Sequence, residues 1–287
     1  MLDVSPFGSF TEALSDRNYA RFSEFIYADY GIKLSKSRKT MLESRLHRRL
    51  RHLGMNSINE YTDYVFSPEG VENEMVHMID LVTTNKTEFF REPDCFDYLL
   101  QTGLPDLISE RGAGIKKELR VWSAGCSSGE EPYTLAMIFK KFAERCPEFL
   151  FSILATDIST RMLKTAIRAV YAQEKIETVP MAKRKKYFMM SRDKDKRLVR
   201  IVPELRDLIK FKRLNLMNED FRIGEQMDII FCRNVIIYFD RKTQEGLLNR
   251  FCQNLTRGGY IVLGHSEILL GMSVPLVRVS PAVYRKQ

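Results

Sequence analysis

The chain has little cysteine and no visible use for it in cross-linking. Cys95, Cys126, Cys146, Cys232 and Cys252 are odd in number and scattered through 287 residues, with no CxxC pair. That excludes a disulfide framework, argues against a zinc site or any other metal, and indicates reduced thiols. Long apolar runs are missing too: none approaches the roughly 18 residues that a transmembrane helix needs. The first thirty residues carry Asp3, Glu12, Asp16 and Glu24 and lack a basic-then-apolar signal pattern. A cytoplasmic protein without membrane insertion is the expectation.

A hydrophobic content of 44% beside 29% charged residues fits a globular chain, long enough for one large domain or two modest ones. The net charge of +8 is concentrated rather than spread. Lys33–His52 holds eight Lys/Arg against the single acid Glu43, and Arg161–Arg213 holds seventeen against six. The remainder is acidic. A localised basic surface suits an anionic partner, whether nucleic acid, membrane or an acidic protein face, unless it is simply a solvated helix face.

The N-terminal third reads as helical. In "YARFSEFIYADYGI", Phe22, Phe25, Ile26 and Tyr30 recur at helical spacing and Gly31 stops the run. A second helix follows, capped by Ser35 or Ser37, with Met41, Leu42, Leu46, Leu50 and Leu53 as its apolar stripe and Gly54 as its end. Arg45, Arg48, Arg49 and Arg51 cannot all face a core, so this helix is expected to show water a basic face. "SINEYTDYVF" and "NEMVHMIDLVTTN" supply two more helices, with Pro68-Glu69-Gly70 as a break. The expected organisation is a helical domain over 1–82, a linker over 83–118 and an α/β domain over 119–287.

From Leu119 the pattern changes. "LRVWSA", "FLFSILATD", "IKFKRLNL", "MDIIFCRN" and "GGYIVLGHS" are short strand-like runs, interleaved with amphipathic stretches such as Tyr133–Glu144 and Gln244–Leu255. Such alternation predicts a mostly parallel sheet covered on both faces, with ligands beyond the carboxyl ends of its strands. Gly125 and Gly129 lie between the first strand and a helix, where the backbone must turn tightly and a ligand can approach. Asp157 ends the next strand, placed to accept from two ribose hydroxyls or else to cap the following helix, a role Ser159 could also fill. Glu130 and Glu131 at this helix N-terminus would repel a pyrophosphate and suit a cationic ligand such as S-adenosyl-L-methionine, unless the first of them simply satisfies the helix dipole.

"LVTTNKTEFFRE", "VWSAGCSSGEEPYTLA", "ATDIS", "RLNL", "FCRNVIIYFD" and "GHSE" occur in order and at fitting intervals. Together they resemble the chemoreceptor glutamate methyltransferases, the CheR family, over nearly the whole chain. The resemblance implies an α/β Rossmann-like S-adenosylmethionine-dependent methyltransferase domain with a small antiparallel β-subdomain, preceded by an all-α N-terminal domain. It implies that Asn85, Thr87 and Arg91 close over the methionine end of the cofactor, with Arg91 as partner of its carboxylate. Glu131 then faces the cofactor, Asp157 its ribose, Asn215 and Leu216 its adenine. Arg233 and Asn234 lie near the sulfonium and Tyr238 near the transferring methyl. The implied partner is a chemoreceptor cytoplasmic coiled coil, met by Arg45, Arg48, Arg49 and Arg51; the product is S-adenosyl-L-homocysteine, and a monomer with no nucleic-acid partner is expected.

The motifs agree with a carboxylate acceptor. Amine methyltransferases use an Asn/Asp-Pro-Pro-aromatic turn after the fourth strand, whereas this one reads Arg233-Asn234-Val235-Ile236. Cytosine C5 chemistry needs a Pro-Cys turn, and Cys232 follows Phe231 instead. A glutamate arrives ionised, with a reference pKa of about 4.3, so the lack of a His or Lys base is expected and His265 reads as structural. Within 171–207, Tyr187–Met190 and Leu198–Val202 read as two antiparallel strands. Some relatives dock a receptor C-terminal peptide on this subdomain by strand addition, with glycines in the turn; Ser191–Lys196 has none, which argues against tethering here. A nucleic-acid methyltransferase and a non-catalytic cofactor-sensing module are the alternatives.

Overall fold

The computed structural model describes residues 12–287, which divide into two compact units at Thr84/Asn85. The first is helical throughout: α1 (Asp16–Tyr30), α2 (Lys39–Leu53), α3 (Ile58–Val65), α4 (Pro68–Asn73) and α5 (Met75–Val82). Ser15 caps α1 by accepting from Asn18 N, and Gly31 and Gly54 end α1 and α2 at φ 69°. Leu42, Leu46 and Leu50 carry the buried face of α2 at successive i+4 steps. Neither Ser35 nor Ser37 caps that helix: a 3-10 turn over Lys36–Arg38 precedes it, and the two hydroxyls bond to each other at 2.8 Å. Pro68-Glu69-Gly70 is a helix start rather than a break. Ser67 caps α4 and Pro68 sits in its first turn, where a missing N–H removes no helical bond.

The four arginines of α2 do not form one exposed ridge. Arg45 donates to the carbonyls of Leu81 and of Thr83 (2.9 Å to the latter), at the end of α5, where the last carbonyls have no helical partner. Arg49 grips Glu74 through two bonds of 2.8 and 2.6 Å, and Tyr61 donates to the same carboxylate at 2.8 Å. Glu74 is 2% exposed, and a buried carboxylate needs such partners. Only Arg48 and Arg51 remain exposed.

The second unit begins at Asn85 with α6 (Asp94–Tyr98), a π-helical turn over Leu99–Gly103 and α7 (Leu104–Arg111). Residues 85–118 are therefore no free linker. Phe89, Cys95, Phe96, Leu99, Leu104 and Leu107 lie in the same buried cluster as the strands, and Phe96 stacks on Phe231 at 5.9 Å. The α/β part follows as β1 (Leu119–Ala124), α8 (Glu130–Ala143), β2 (Phe151–Asp157), α9 (Thr160–Arg168), β3 (Val170–Ala172), α10 (Met181–Tyr187), β4 (Phe188–Met190), β5 (Leu198–Ile201), α11 (Pro203–Arg206), β6 (Ile209–Arg213), β7 (Met227–Cys232), α12 (Arg241–Asn254), β8 (Leu255–Leu263), β9 (Leu276–Ser280) and β10 (Val283–Lys286).

Seven strands form one sheet in the order β6-β2-β1-β7-β8-β10-β9, parallel up to β8 and antiparallel beyond it. Alternation along β1 fills both faces. Leu119 and Val121 join Phe139 of α8 and Phe151 of β2 in one cluster, while Trp122 meets Phe221 and Phe251 of α12 at 5.2 and 5.1 Å. Chain order reverses between β2-β1 and β7, a switch point beyond whose strand ends ligands bind. The hairpin of β9 and β10 is an addition to the expected strands. The inserted subdomain holds three strands rather than two, in the order β3-β5-β4, and its glycine-free turn places Arg197 at φ 44°.

Candidate cofactor site

Loops from the carboxyl ends of β1, β2 and β7 meet the segment 85–92. Gly125 and Gly129 stand at φ 83° and 98°, in the left-handed region that the turn requires. The room they leave is used by protein. A Cβ on Gly125 would lie 2.5 Å from Val235 in the turn after β7, and one on Gly129 would lie 2.9 Å from both Ala166 Cβ and the Tyr171 hydroxyl. Between them Ser127, at φ 49°, donates its N–H to Asp157 Oδ2 (2.8 Å) and its hydroxyl to Asn85 O (3.1 Å). Asp157 is 8% exposed, and its Oδ1 accepts from Ser159 N at 2.8 Å. Of the two residues able to cap α9, Ser159 does so, accepting from Met162 N.

Segment 85–92 is pinned from several sides. Lys175, following β3, donates to Thr87 O (3.3 Å) and to buried Glu130 (3.2 Å), and Phe90 N donates to Thr134 of α8 at 3.1 Å. Arg91 is half-buried and donates to Lys86 O at 3.3 Å. Phe90 and Glu92 lie at φ 55° and 50°; with Ser127 and Asn234 they make four of the eight non-glycine residues at positive φ among the described residues. Such strain gathers at functional sites, where surrounding contacts enforce it.

Arg233 and Asn234 follow β7. The Arg233 side chain is 2% exposed and donates to Glu131 (3.4 Å), to Glu92 (3.0 Å) and to the Arg91 carbonyl, with its guanidinium 5.3 Å from the Phe96 ring centroid. Glu131 also accepts from Ser123 at 2.7 Å. Burial pushes the Glu131 carboxyl up, against the pull of Arg233. At Glu92 burial acts the same way, but the Arg233 hydrogen bond and charge outweigh it and hold that carboxyl below its ordinary value. Two carboxylates thus share the Arg233 guanidinium in a partly dry site, and Glu92 also lies 3.9 Å from Arg91 Nε. Two buried polar atoms of the turn have no partner, Arg233 Nε and Asn234 Oδ1.

Asn215 and Leu216 lie just past β6, beside the end of β2; Asn215 Oδ1 accepts from Met217 N at 3.0 Å and Leu216 is 9% exposed. Tyr238 closes the 3-10 turn Ile236–Tyr238 and is half-buried. The substrate-side arginines of α2 belong to the other unit. Burial raises the thiols of Cys126 and Cys232 well above their ordinary value, so neither is a nucleophile near neutral pH. Two residues of the site went unassigned in the sequence: Glu92, the last letter of "TNKTEFFRE", and Glu267, the last of "GHSE". Both lie in the motifs that carry the family resemblance, but nothing in the sequence says which cation or amide they meet. His265 is exposed.

Comparison with known proteins gives the family. Residues 17–83 match the family model described as CheR methyltransferase, all-alpha domain, and residues 85–281 match CheR methyltransferase, SAM binding domain. The chain is 40% identical over 268 residues to the chemotaxis protein methyltransferase of Borreliella burgdorferi, covering 93% of each chain. It is 37% identical to the probable chemotaxis protein methyltransferase of Rhizobium etli (86% of this chain, 90% of that one). It is 36% identical to the chemotaxis protein methyltransferase of Escherichia coli (89% and 85%). With its helical unit and its cofactor-binding unit both matched, the chain belongs to the CheR family of S-adenosylmethionine-dependent methyltransferases that act in chemotaxis.

Proposed function

We propose that the chain moves a methyl group from S-adenosyl-L-methionine to glutamate carboxylates on chemoreceptor cytoplasmic helices, leaving S-adenosyl-L-homocysteine. The observation that carries this reading is the turn after β7, where buried Arg233 holds Glu131 and Glu92 while its Nε and Asn234 Oδ1 have no partner. Carboxylates so placed suit the ammonium and sulfonium of the cofactor. The unpartnered Arg233 Nε and Asn234 Oδ1 offer it one donor and one acceptor. When bound, the cofactor supplies an electrophilic methyl on sulfur. Every other task falls to this chain.

Asp157, held at the end of β2 by the backbone amides of Ser127 and Ser159, meets the ribose hydroxyls. Asn85, Thr87 and Arg91 cover the methionine end, Arg91 meeting the carboxylate with its planar fork. Asn215 and Leu216 frame the adenine, Glu131, Arg233 and Asn234 set the region near the sulfur, and Tyr238 borders the acceptor. An acceptor glutamate is already ionised, so the residues have only to align it within about 3–3.5 Å and exclude water. Arg48 and Arg51 lie along the acidic coiled coil as rim contacts, and the protein works on the cytoplasmic face of receptor arrays. A receptor C-terminal peptide is not assigned to the inserted sheet, whose turn lacks glycine.

Incubation with tritiated cofactor and receptor-containing membranes tests the reading. Label released by base as methanol is the expected result. Label stable to base would overturn the ester product, and label in nucleic acid would favour the nucleic-acid methyltransferase alternative.

A further inference from the structure

Glu267 is 4% exposed, yet among the described residues it forms no ion pair. Its partners are backbone amides. Oε2 accepts from Asn234 N at 2.9 Å and from Gly264 N at 2.6 Å, and Oε1 accepts from Ile237 N at 3.3 Å. Two of these amides lie in the turn after β7 and the third at the end of β8, so one carboxylate ties the two strand ends together. The space is tight by construction: a Cβ on Gly264 would lie 2.6 Å from Asn234 Nδ2 and 3.0 Å from both Asn234 N and Glu267 Oε2.

The turn needs such a tie. Asn234 sits at φ 58°, a conformation that must be imposed from outside, and neither helix nor sheet supplies an acceptor for its N–H. We infer that Glu267 is a positioning residue for methyl transfer, whose carboxylate fixes the backbone of Arg233–Tyr238 and so aims Asn234 Oδ1 and Arg233 Nε into the cofactor site. The assignment rests on the methyltransferase reading above. A carboxylate suits the role because it offers only acceptors, with lone pairs for three amides. Glutamine would turn an NH2 group against at least one of those N–H donors, leaving it buried without a partner.

Calorimetric titration of wild type and Glu267→Gln with S-adenosyl-L-homocysteine and with adenosine, which lacks the sulfur and the amino-acid portion, tests this. The variant should bind S-adenosyl-L-homocysteine about tenfold to a hundredfold more weakly, the span of one lost hydrogen bond to a charged group. Adenosine affinity should stay within about twofold, since Asp157 and Asn215 stand on other loops. In steady state KM for the cofactor should rise and kcat should fall. In an Asn234→Ala background Glu267→Gln should add little, because both act through one group. Equal loss for both ligands, or losses that add in the double variant, would make Glu267 a general structural residue and overturn the inference. Should Glu267→Gln fail to fold, Gly264→Ala crowds the same tie without removing the carboxylate and must show the same ligand selectivity. Wild type that binds neither ligand would defeat the cofactor reading itself, an outcome separate from failure of the Glu267 assignment.

Discussion

Each unit of the molecule buries one arginine against glutamate, and the two arrangements differ in what they leave over. In the helical unit, Arg49 and Glu74 match one to one: two parallel bonds, with a tyrosine hydroxyl donating to the same carboxylate. Under the turn after β7, Arg233 divides itself between Glu131, Glu92 and a carbonyl, and its Nε stays unpartnered. A closed pair can only hold the fold. An arrangement with an orphan donor has capacity for a ligand, because buried polar groups seldom go unpaired without reason. The difference between structural and functional burial lies in this remainder, not in the residue types.

The largest expected effect comes from removing the cation of the open arrangement. Arg233→Ala should abolish methyl transfer and lower stability by about 3–5 kcal/mol, since two buried carboxylates lose their shared partner. Denaturant melts alongside the transfer assay would show it. Arg233→Lys keeps charge but not the fork, and should recover fold more than activity. An active Arg233→Ala enzyme would erase the contrast between the two pairs.

Arg49→Ala should act on the closed pair alone. It should cost the helical unit roughly 3 kcal/mol, by stranding Glu74, while calorimetry shows unchanged cofactor affinity. Loss of cofactor binding in the folded variant would mean that the closed pair is not purely structural. Asp157→Ala should weaken S-adenosylmethionine binding by about 2–3 kcal/mol, and titration showing full affinity would remove the ribose assignment.

The pH dependence sharpens the same comparison. Glu131 has a folded pKa raised by burial, so its contribution to stability is fully present below the unfolded value of about 4.3 and is lost as pH rises through the folded pKa. A cationic ligand prefers the ionised carboxylate, so cofactor affinity should move the other way and strengthen as pH rises through that raised value. Glu131→Gln should flatten both trends. Glu92, held low by Arg233, has the opposite sign: its contribution is present above the unfolded pKa and is lost as pH falls through the folded one.

The smallest effect concerns the exposed arginines. Arg48→Ala with Arg51→Ala should leave stability and cofactor affinity intact and lower receptor methylation modestly, each exposed pair being worth about 0.2–1 kcal/mol. The loss should fade as salt rises, because charges are screened over about 8–10 Å. Arg45→Ala should instead destabilise the helical unit, as it strips the carbonyls of Leu81 and Thr83 of their donor. Methylation indifferent to the double change would end the rim-contact role.

The sequence by itself determined the elements whose signal is local. Period-3.6 stripes gave α1 and α2 with their glycine ends, and β-branched runs gave β1, β2, β6, β7 and β8 in order. Ordered motifs named Asn85, Arg91, Glu131 and Arg233, which lie on loops and segments that the strand ends bring into contact. It could not determine which of four like arginines a helix shows to water, because Arg45 and Arg49 are claimed by carbonyls and a carboxylate 25 to 38 residues away. Nor could it show that 85–118 packs as core, that β9 and β10 complete the sheet, or that Val235 is what Gly125 makes room for. Glu92 and Glu267 carried no local sign of their partners, 141 and 33 residues distant. Backbone propensity and period act over a few residues, whereas pairing of buried charge is settled only when strands from distant parts of the chain end side by side; that was left to the tertiary structure.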